Sequence, residues 1–175
     1  MNLVNVKKVT LRKLEFSDCS RMMDLVNNKN ITKNLLDRFP IPFTFKHAHR
    51  FIENAKTTKL ATVFGIEYKG EYVGNIELMH GQDVYRKGAT LGYFIGEEYW
   101  NRGIASAAVK MMIDYSFKYL DFIKINALVF DKNIASQKVL EKSGFKVEGI
   151  LRKAVYKNDE YLNEIHYAIF LDNYS

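Results

Sequence analysis

Residues 97–117 read EEYWNRGIASAAVKMMIDYSF. Two acids, an aromatic pair and an Arg-Gly step lead into small residues and then into a helical apolar period. Ile104, Ala108, Met111, Met112, Tyr115 and Tyr119 fall three and four residues apart, which predicts a helix over 103–120 with one face on a sheet. The helix itself does not require small residues at its start. Gly103 lets backbone approach a ligand with no Cβ in the way, and Ala105 and Ser106 add little bulk. The first-turn N–H groups of a helix have no helical acceptor. A phosphate would satisfy them, drawn by the helix dipole and by Arg102 at the mouth. The two common nucleotide fingerprints, GxxxxGK followed by Ser or Thr and GxGxxG, are absent.

Upstream of this stretch the period is two. LATVFGIEY, EYVGNIELMH and KGATLGYFIG alternate over 60–95 as an antiparallel meander, turned tightly at Lys69-Gly70 and loosely at HGQDVYR. KVTLRKL (8–14) reads as a half-buried strand. Ser17 or Asp18 caps a helix running to about Asn28, with Met22, Leu25 and Val26 inside, and NNKN stops it. Residues 30–44, holding both prolines, read as irregular, and Thr44 caps a helix over His47 to Lys56. Downstream lie a strand at KINALVF and a helix at IASQKVLEKS, with Asn133 as N-cap and Ala135, Val139 and Leu140 inside. Gly144 is placed as a left-handed C-terminal cap, FKVEGIL returns to the sheet, and a last strand runs near YLNEIHYAIF. The pattern is mixed α/β, a single domain over residues 1–175 with no repeat and no linker.

Composition narrows the function classes. At 47% apolar residues the chain can bury a core. Cys19 is the lone cysteine, which excludes an intramolecular disulfide and a multi-cysteine metal site. His47 and His49 are two apart on a helix and diverge, while His80 and His166 stand alone, so no metal is expected. No stretch approaches the ~18 apolar residues of a membrane span and the N-terminus lacks a signal-peptide core, which points to the cytoplasm and away from a membrane. Residues 1–59 carry 12 basic and 5 acidic side chains, leaving 14 and 15 for the rest. That asymmetry would suit RNA, but no interleaved aromatic-basic motif accompanies it, and a soluble basic surface is the preferred reading.

Taken together, EEYWNRGIASAAVK and NIASQKVLEKSGFKVEG resemble the GNAT N-acetyltransferase superfamily, in its RimJ/RimL-like branch of ribosomal-protein N-terminal acetyltransferases. The likeness runs from VTLRKLEFSD to the final strand. It implies the GNAT fold: a mixed, mostly antiparallel sheet of about seven strands, splayed between strands 4 and 5 and flanked by about four helices. In the branch's acetyl-CoA loop Trp100 holds the first position, Asn101 replaces a glycine, Arg102 replaces a lysine, and Gly103 and Ala105 match. The resemblance implies that N–H groups of Arg102, Gly103, Ile104, Ala105 and Ser106 cradle the pyrophosphate of CoA. It also implies that pantetheine lies between strands 90–96 and 124–130 against backbone around Phe94 and Ile95, and that Asn133 contacts its arm.

The same resemblance places Ser136 beside the CoA sulfur as proton donor to the thiolate. Where the branch can use a glutamate as base, this chain has Val155. Glu77 in GNIELMH is the substitute, since a half-buried carboxylate on that strand would hold a raised pKa, with Tyr93 and Tyr156 as alternatives. Spermidine acetyltransferases carry a tyrosine acid where this chain has Leu140. The expected activity is direct acetyl transfer from acetyl-CoA to a primary amine, foremost a protein N-terminal amine such as that of a ribosomal protein. The alternatives are a polyamine, aminoglycoside or amino-sugar acceptor, or a CoA-binding module without catalysis. Segment 28–45 and the 79–88 turn are expected to flank the amine, and a homodimer is a further expectation of the resemblance.

Overall fold

KVTLRKL forms the first strand, β1 (Val9–Arg12), of the computed structural model, which describes residues 8–174. A 3-10 turn at Phe16–Asp18 leads into α1 (Cys19–Val26), and the chain then forms α2 (Lys29–Thr32) and α3 (Phe45–Thr57). The meander is β2 (Ala61–Tyr68), β3 (Glu71–His80) and β4 (Gly88–Ile95). After it come α4 (Ile104–Tyr119), β5 (Lys124–Phe130), α5 (Ile134–Lys142), β6 (Lys146–Lys157) and β7 (Glu160–Phe170). The strands form one seven-stranded sheet in the order β1-β2-β3-β4-β5-β7-β6. The β4–β5 pair is parallel, over Gly88–Leu91 and Lys124–Ala127 only, whereas all seven residues of β5 pair antiparallel with β7.

Contacts divide the chain into two units, each discontinuous in sequence: residues up to Glu77 with Tyr93–Ala108, and Leu78–Gly92 with Val109 onward. In the first unit Met22, Leu25, Val26, Ile52 and Ile66 are buried. Arg12 there donates twice to the buried Asp18 carboxylate, at 2.8 Å each, and its Nε reaches Glu67 at 2.8 Å. Burial pushes the Asp18 carboxyl up, but the Arg12 bonds and the Glu15 N–H outweigh it and leave its pKa lowered. Its contribution to stability is therefore present above the unfolded value near 3.8 and lost as pH falls through the lower folded value.

In the second unit Ile125, Leu140, Phe145 and Tyr167 are fully buried, and Tyr167 Oη donates to Glu141 Oε1 at 3.0 Å. Gly144 sits at φ +96° with Phe145 N–H on Leu140 O at 3.1 Å, the expected C-terminal cap of α5. Two hairpin turns use paired left-handed residues, Lys69 and Gly70 at φ 56° and 84°, and Asn158 and Asp159 at φ 50° and 61°.

Several expectations shift. Among the described residues there are five α-helices, in keeping with about four, the addition being α2, which overlaps the segment read as irregular. Its start falls in the stop signal itself: Asn28 Oδ1 accepts from Asn30 N–H at 2.8 Å and caps the new helix. The first helix is correspondingly shorter, ending at Val26, and is entered through the 3-10 turn. On α4 the buried positions include Ala107, Val109, Ile113 and Ser116 beside Ile104, Ala108 and Met112, while Met111 and Tyr119 are exposed. A helix buried over more than one stripe defeats a single-face assignment. Ala135 is exposed rather than inside. β6 runs six residues past the predicted Leu151, because as an edge strand with register shifts it is mostly exposed and shows no clean alternation.

Candidate active site

In the first unit the chain runs from β4 through a 3-10 turn (Glu97–Tyr99) into α4. Asn101 lies at φ +59° and Gly103 at φ +73°, so two left-handed residues bend the loop. Asparagine is among the few side chains that tolerate this region, which explains how it can stand at Asn101. The first helical bond of α4 shown runs from Ala107 N–H to Gly103 O at 3.0 Å. Among the described residues, no side chain accepts from the N–H groups of Ile104, Ala105 or Ser106. The start of a sixteen-residue helix thus keeps its donors and its partial positive charge available.

The side chains around the loop are fixed. Trp100 Nε1 donates to Ile95 O at 2.7 Å, so the carbonyl expected to meet pantetheine already holds one partner and keeps one lone pair. Arg102 Nη2 donates to Glu98 O at 2.8 Å, and its guanidinium lies 5.6 Å from the Tyr99 ring centre. It therefore folds back on the turn while remaining exposed. Ile104 is only 1% exposed, so it can serve a ligand through its N–H and not its side chain. Gly103 is exposed, and Ala105, Ser106 and Phe94 are half-buried.

Gly74, which the sequence reading did not single out, is required where β3 meets β4: a Cβ there would lie 2.1 Å from Phe94 O. Three residues on, Glu77 is half-buried. Burial pushes its carboxyl pKa up, and the Arg38 charge offsets part of that rise. A carboxylate in this state binds a proton more readily than an exposed one.

The second unit holds the other two expected residues. Asn133 Oδ1 accepts from Ser136 N–H at 3.3 Å and caps α5, and Ser136 is half-buried in the first turn. Asn163 Nδ2 donates to Asp131 Oδ2 at 2.8 Å and Gln137 Nε2 to Asp131 O at 2.9 Å, fixing the link from β5 to α5. Leu140 is fully buried. Val155 is half-buried on β6, and His166 Nε2 lies 2.8 Å from Glu164 Oε1, a pairing that separate inspection of the histidines did not foresee.

A parallel β4–β5 pair followed by an open helix start is the arrangement that the comparison with known families addresses. The model of the acetyltransferase (GNAT) domain matches residues 8–146. The chain belongs to the GNAT family. It is an N-acetyltransferase, and acetyl-CoA is the cosubstrate. It is 30% identical over 172 residues to the spermidine N(1)-acetyltransferase of Escherichia coli K12, covering 95% of this chain and 88% of that protein. The Vibrio cholerae spermidine N-acetyltransferase solved with CoA and spermine superposes at a TM-score of 0.83 with 25% identity, over 96% and 98% of the two chains. The ribosomal-protein alpha-N-acetyltransferase RimL, solved with coenzyme A, superposes at 0.85 with 22% identity over 98% and 99%, a likeness of fold.

The α4 start combines open first-turn N–H donors with two left-handed residues, a chemistry that can bind an anion. Among the described residues no group of His, Cys, Asp or Glu is placed to hold a metal ion, and no helix is long and apolar enough to cross a membrane.

The sequence reading missed the side chains that brace the loop. Arg21 Nη2 donates to Glu98 Oε1 at 2.6 Å and to Tyr99 Oη at 2.9 Å, and Tyr99 Oη donates to Glu71 Oε2 at 3.0 Å. Asn28 and Asn30 both reach Glu97. The only signal was the acidic pair just ahead of Trp100, which has no role in a phosphate site by itself.

Proposed function

We propose that the chain, acting as one domain over residues 1–175, transfers acetyl to a protein N-terminal amine of the ribosomal-protein kind. Arg102, Gly103, Ile104, Ala105 and Ser106 hold the pyrophosphate through backbone N–H groups, Phe94 and Ile95 offer strand backbone to pantetheine, and Asn133 meets its arm. Acetyl-CoA supplies the thioester acetyl group. As the amine nitrogen bonds to the carbonyl carbon and the C–S bond breaks, Ser136 gives a proton to the departing sulfur and regains one from solvent. Glu77 takes the proton that the amine sheds.

The observation that carries the choice of acceptor is the state of Glu77. A half-buried carboxylate with a raised pKa is a modest base. It suits an α-amine with a pKa near ~8 better than a lysine-like amine near ~10.4, which is almost wholly protonated at neutral pH. The buried Leu140 also leaves no phenol where polyamine enzymes carry their acid. A polyamine acceptor is the second reading, favoured by the 30% identity with the Escherichia coli spermidine enzyme.

Thiol release from acetyl-CoA, measured against N-terminal peptides, polyamines and aminoglycosides, separates the two. Turnover on peptides supports the first reading, and turnover confined to polyamines replaces it with the second. Glu77→Gln should lower kcat by about 100-fold. In wild type the acidic limb of the rate profile should lie above the ordinary glutamate range of ~4.3, because the base form appears only as pH rises through the raised pKa. Persistence in Glu77→Gln of a limb lying below the amine's own titration near ~8 would remove Glu77 from the role of base.

A further inference from the structure

NNKN at 27–30 does more than stop a helix. Asn27 Nδ2 donates to Phe43 O at 2.7 Å and its Oδ1 accepts from Phe43 N–H at 2.8 Å, tying the far end of segment 28–43 to the end of α1. Asn28 caps α2 with its oxygen, and its Nδ2 donates to Glu97 Oε2 at 2.5 Å. Asn30 Nδ2 donates to Glu97 Oε1 at 2.8 Å. Both oxygens of one carboxylate are thus engaged by two amides from a single helical turn. Glu97 opens the 3-10 turn that delivers the chain to Asn101 and Gly103.

Glu97 and Asn30 are exposed, and exposed polar contacts of this kind add little to stability. The convergence on one turn therefore calls for another reason. A phosphate cradle works only if its N–H groups stay aligned to within about 0.5 Å. The turn at 97–99 is the lever that sets that alignment, and it is held from two sides, by Asn28 and Asn30 on Glu97 and by Arg21 on Glu98 and Tyr99.

We propose that the Glu97–Asn28–Asn30 clasp is a positioning device for the phosphate loop, and that it ties the loop to segment 28–43. This rests on reading residues 102–106 as the loop that holds acetyl-CoA.

The test is a double-mutant cycle on CoA affinity by calorimetry, with Glu97→Gln, Asn30→Asp and the pair together. In Glu97→Gln the new amide turns its NH₂ toward an asparagine donor, and in Asn30→Asp two carboxylates face each other. The pair restores complementary groups and the original net charge. Each single variant should raise the Kd for CoA, Asn30→Asp by about 10-fold, and the pair should return to within about 2-fold of wild type. The general electrostatic effect of each charge change adds along both arms and cancels from the cycle. Additive effects in the pair would overturn the clasp, as would a lowered Tm with unchanged Kd in both single variants. Failure of wild type to bind CoA would instead overturn the loop reading on which the clasp depends.

Discussion

Two helix starts in this molecule look alike in sequence and differ in structure. Each follows a strand and contains small or polar residues, Gly103, Ala105 and Ser106 at α4, and Asn133, Ala135 and Ser136 at α5. At α5 the helix answers its own need: Asn133 accepts from Ser136 N–H, as an ordinary N-cap does. At α4 the chain enters through two left-handed residues and the first-turn donors remain open. Polar residues at a helix start are therefore weak evidence for a ligand when they cap it, and stronger evidence when the cap is missing.

The largest expected effect lies at the open start. Gly103→Val places a β-branched residue at φ +73°, a conformation costing ~1–3 kcal/mol, and puts a side chain beside the N–H groups. The Kd for CoA should rise by about 100-fold, since each ~1.4 kcal/mol is tenfold and the lost donor contacts add to the strain. Unchanged affinity by calorimetry would erase the distinction between the two helix starts.

At the capped start the effect should be on rate rather than binding. Ser136→Ala is expected to lower kcat by about 10-fold with the Kd for CoA unchanged, because only the departing sulfur needs the hydroxyl proton. Alanine is also the better helix former, so Tm should hold or rise slightly. A serine that serves the helix alone would leave thiol release untouched.

Smaller still is the effect expected at Asn133. Its replacement by alanine removes the cap and should cost about 1 kcal/mol, a fall in Tm of a few degrees for a chain of this size. Asn133→Asp keeps an acceptor at the same place and should retain the Tm. If calorimetry shows weaker CoA binding in both variants while only the first is destabilised, Asn133 serves ligand and helix together.

How far these differences could be read in advance depended on range. The meander, the Lys69-Gly70 turn and the Gly144 cap were legible because each is set by a residue and its immediate neighbours. The parallel β4–β5 pair was not foreseen, since the resemblance implied only a splay between those strands. Asn28 and Asn30 were not legible as braces, since their partner Glu97 lies 69 and 67 positions away, and a local reading sees in NNKN only a breaker. Nor could the Ile95 carbonyl be foreseen as the Trp100 acceptor, because a tryptophan five residues on reads first as packing. The part of the site made by local chain geometry was readable, and the part made by distant side chains was not.

The smallest effect tests what gives the open start its shape. The branch that this chain resembles has a glycine where Asn101 stands, which suggests that backbone freedom is what matters. The structure places Asn101 at φ +59°, where asparagine pays little and glycine nothing. If the loop's shape comes from its left-handed pair, Asn101→Gly should leave Tm and the Kd for CoA within about 2-fold of wild type, while Asn101→Ala should lose about 1 kcal/mol because alanine enters that region at a cost. If the asparagine side chain itself serves the ligand, both variants should bind CoA more weakly by the same factor. Thermal unfolding and calorimetry on the two variants therefore separate a requirement of the backbone from one of the side chain. The glycine variant decides between them, since it is the one in which conformation is preserved and the amide is gone.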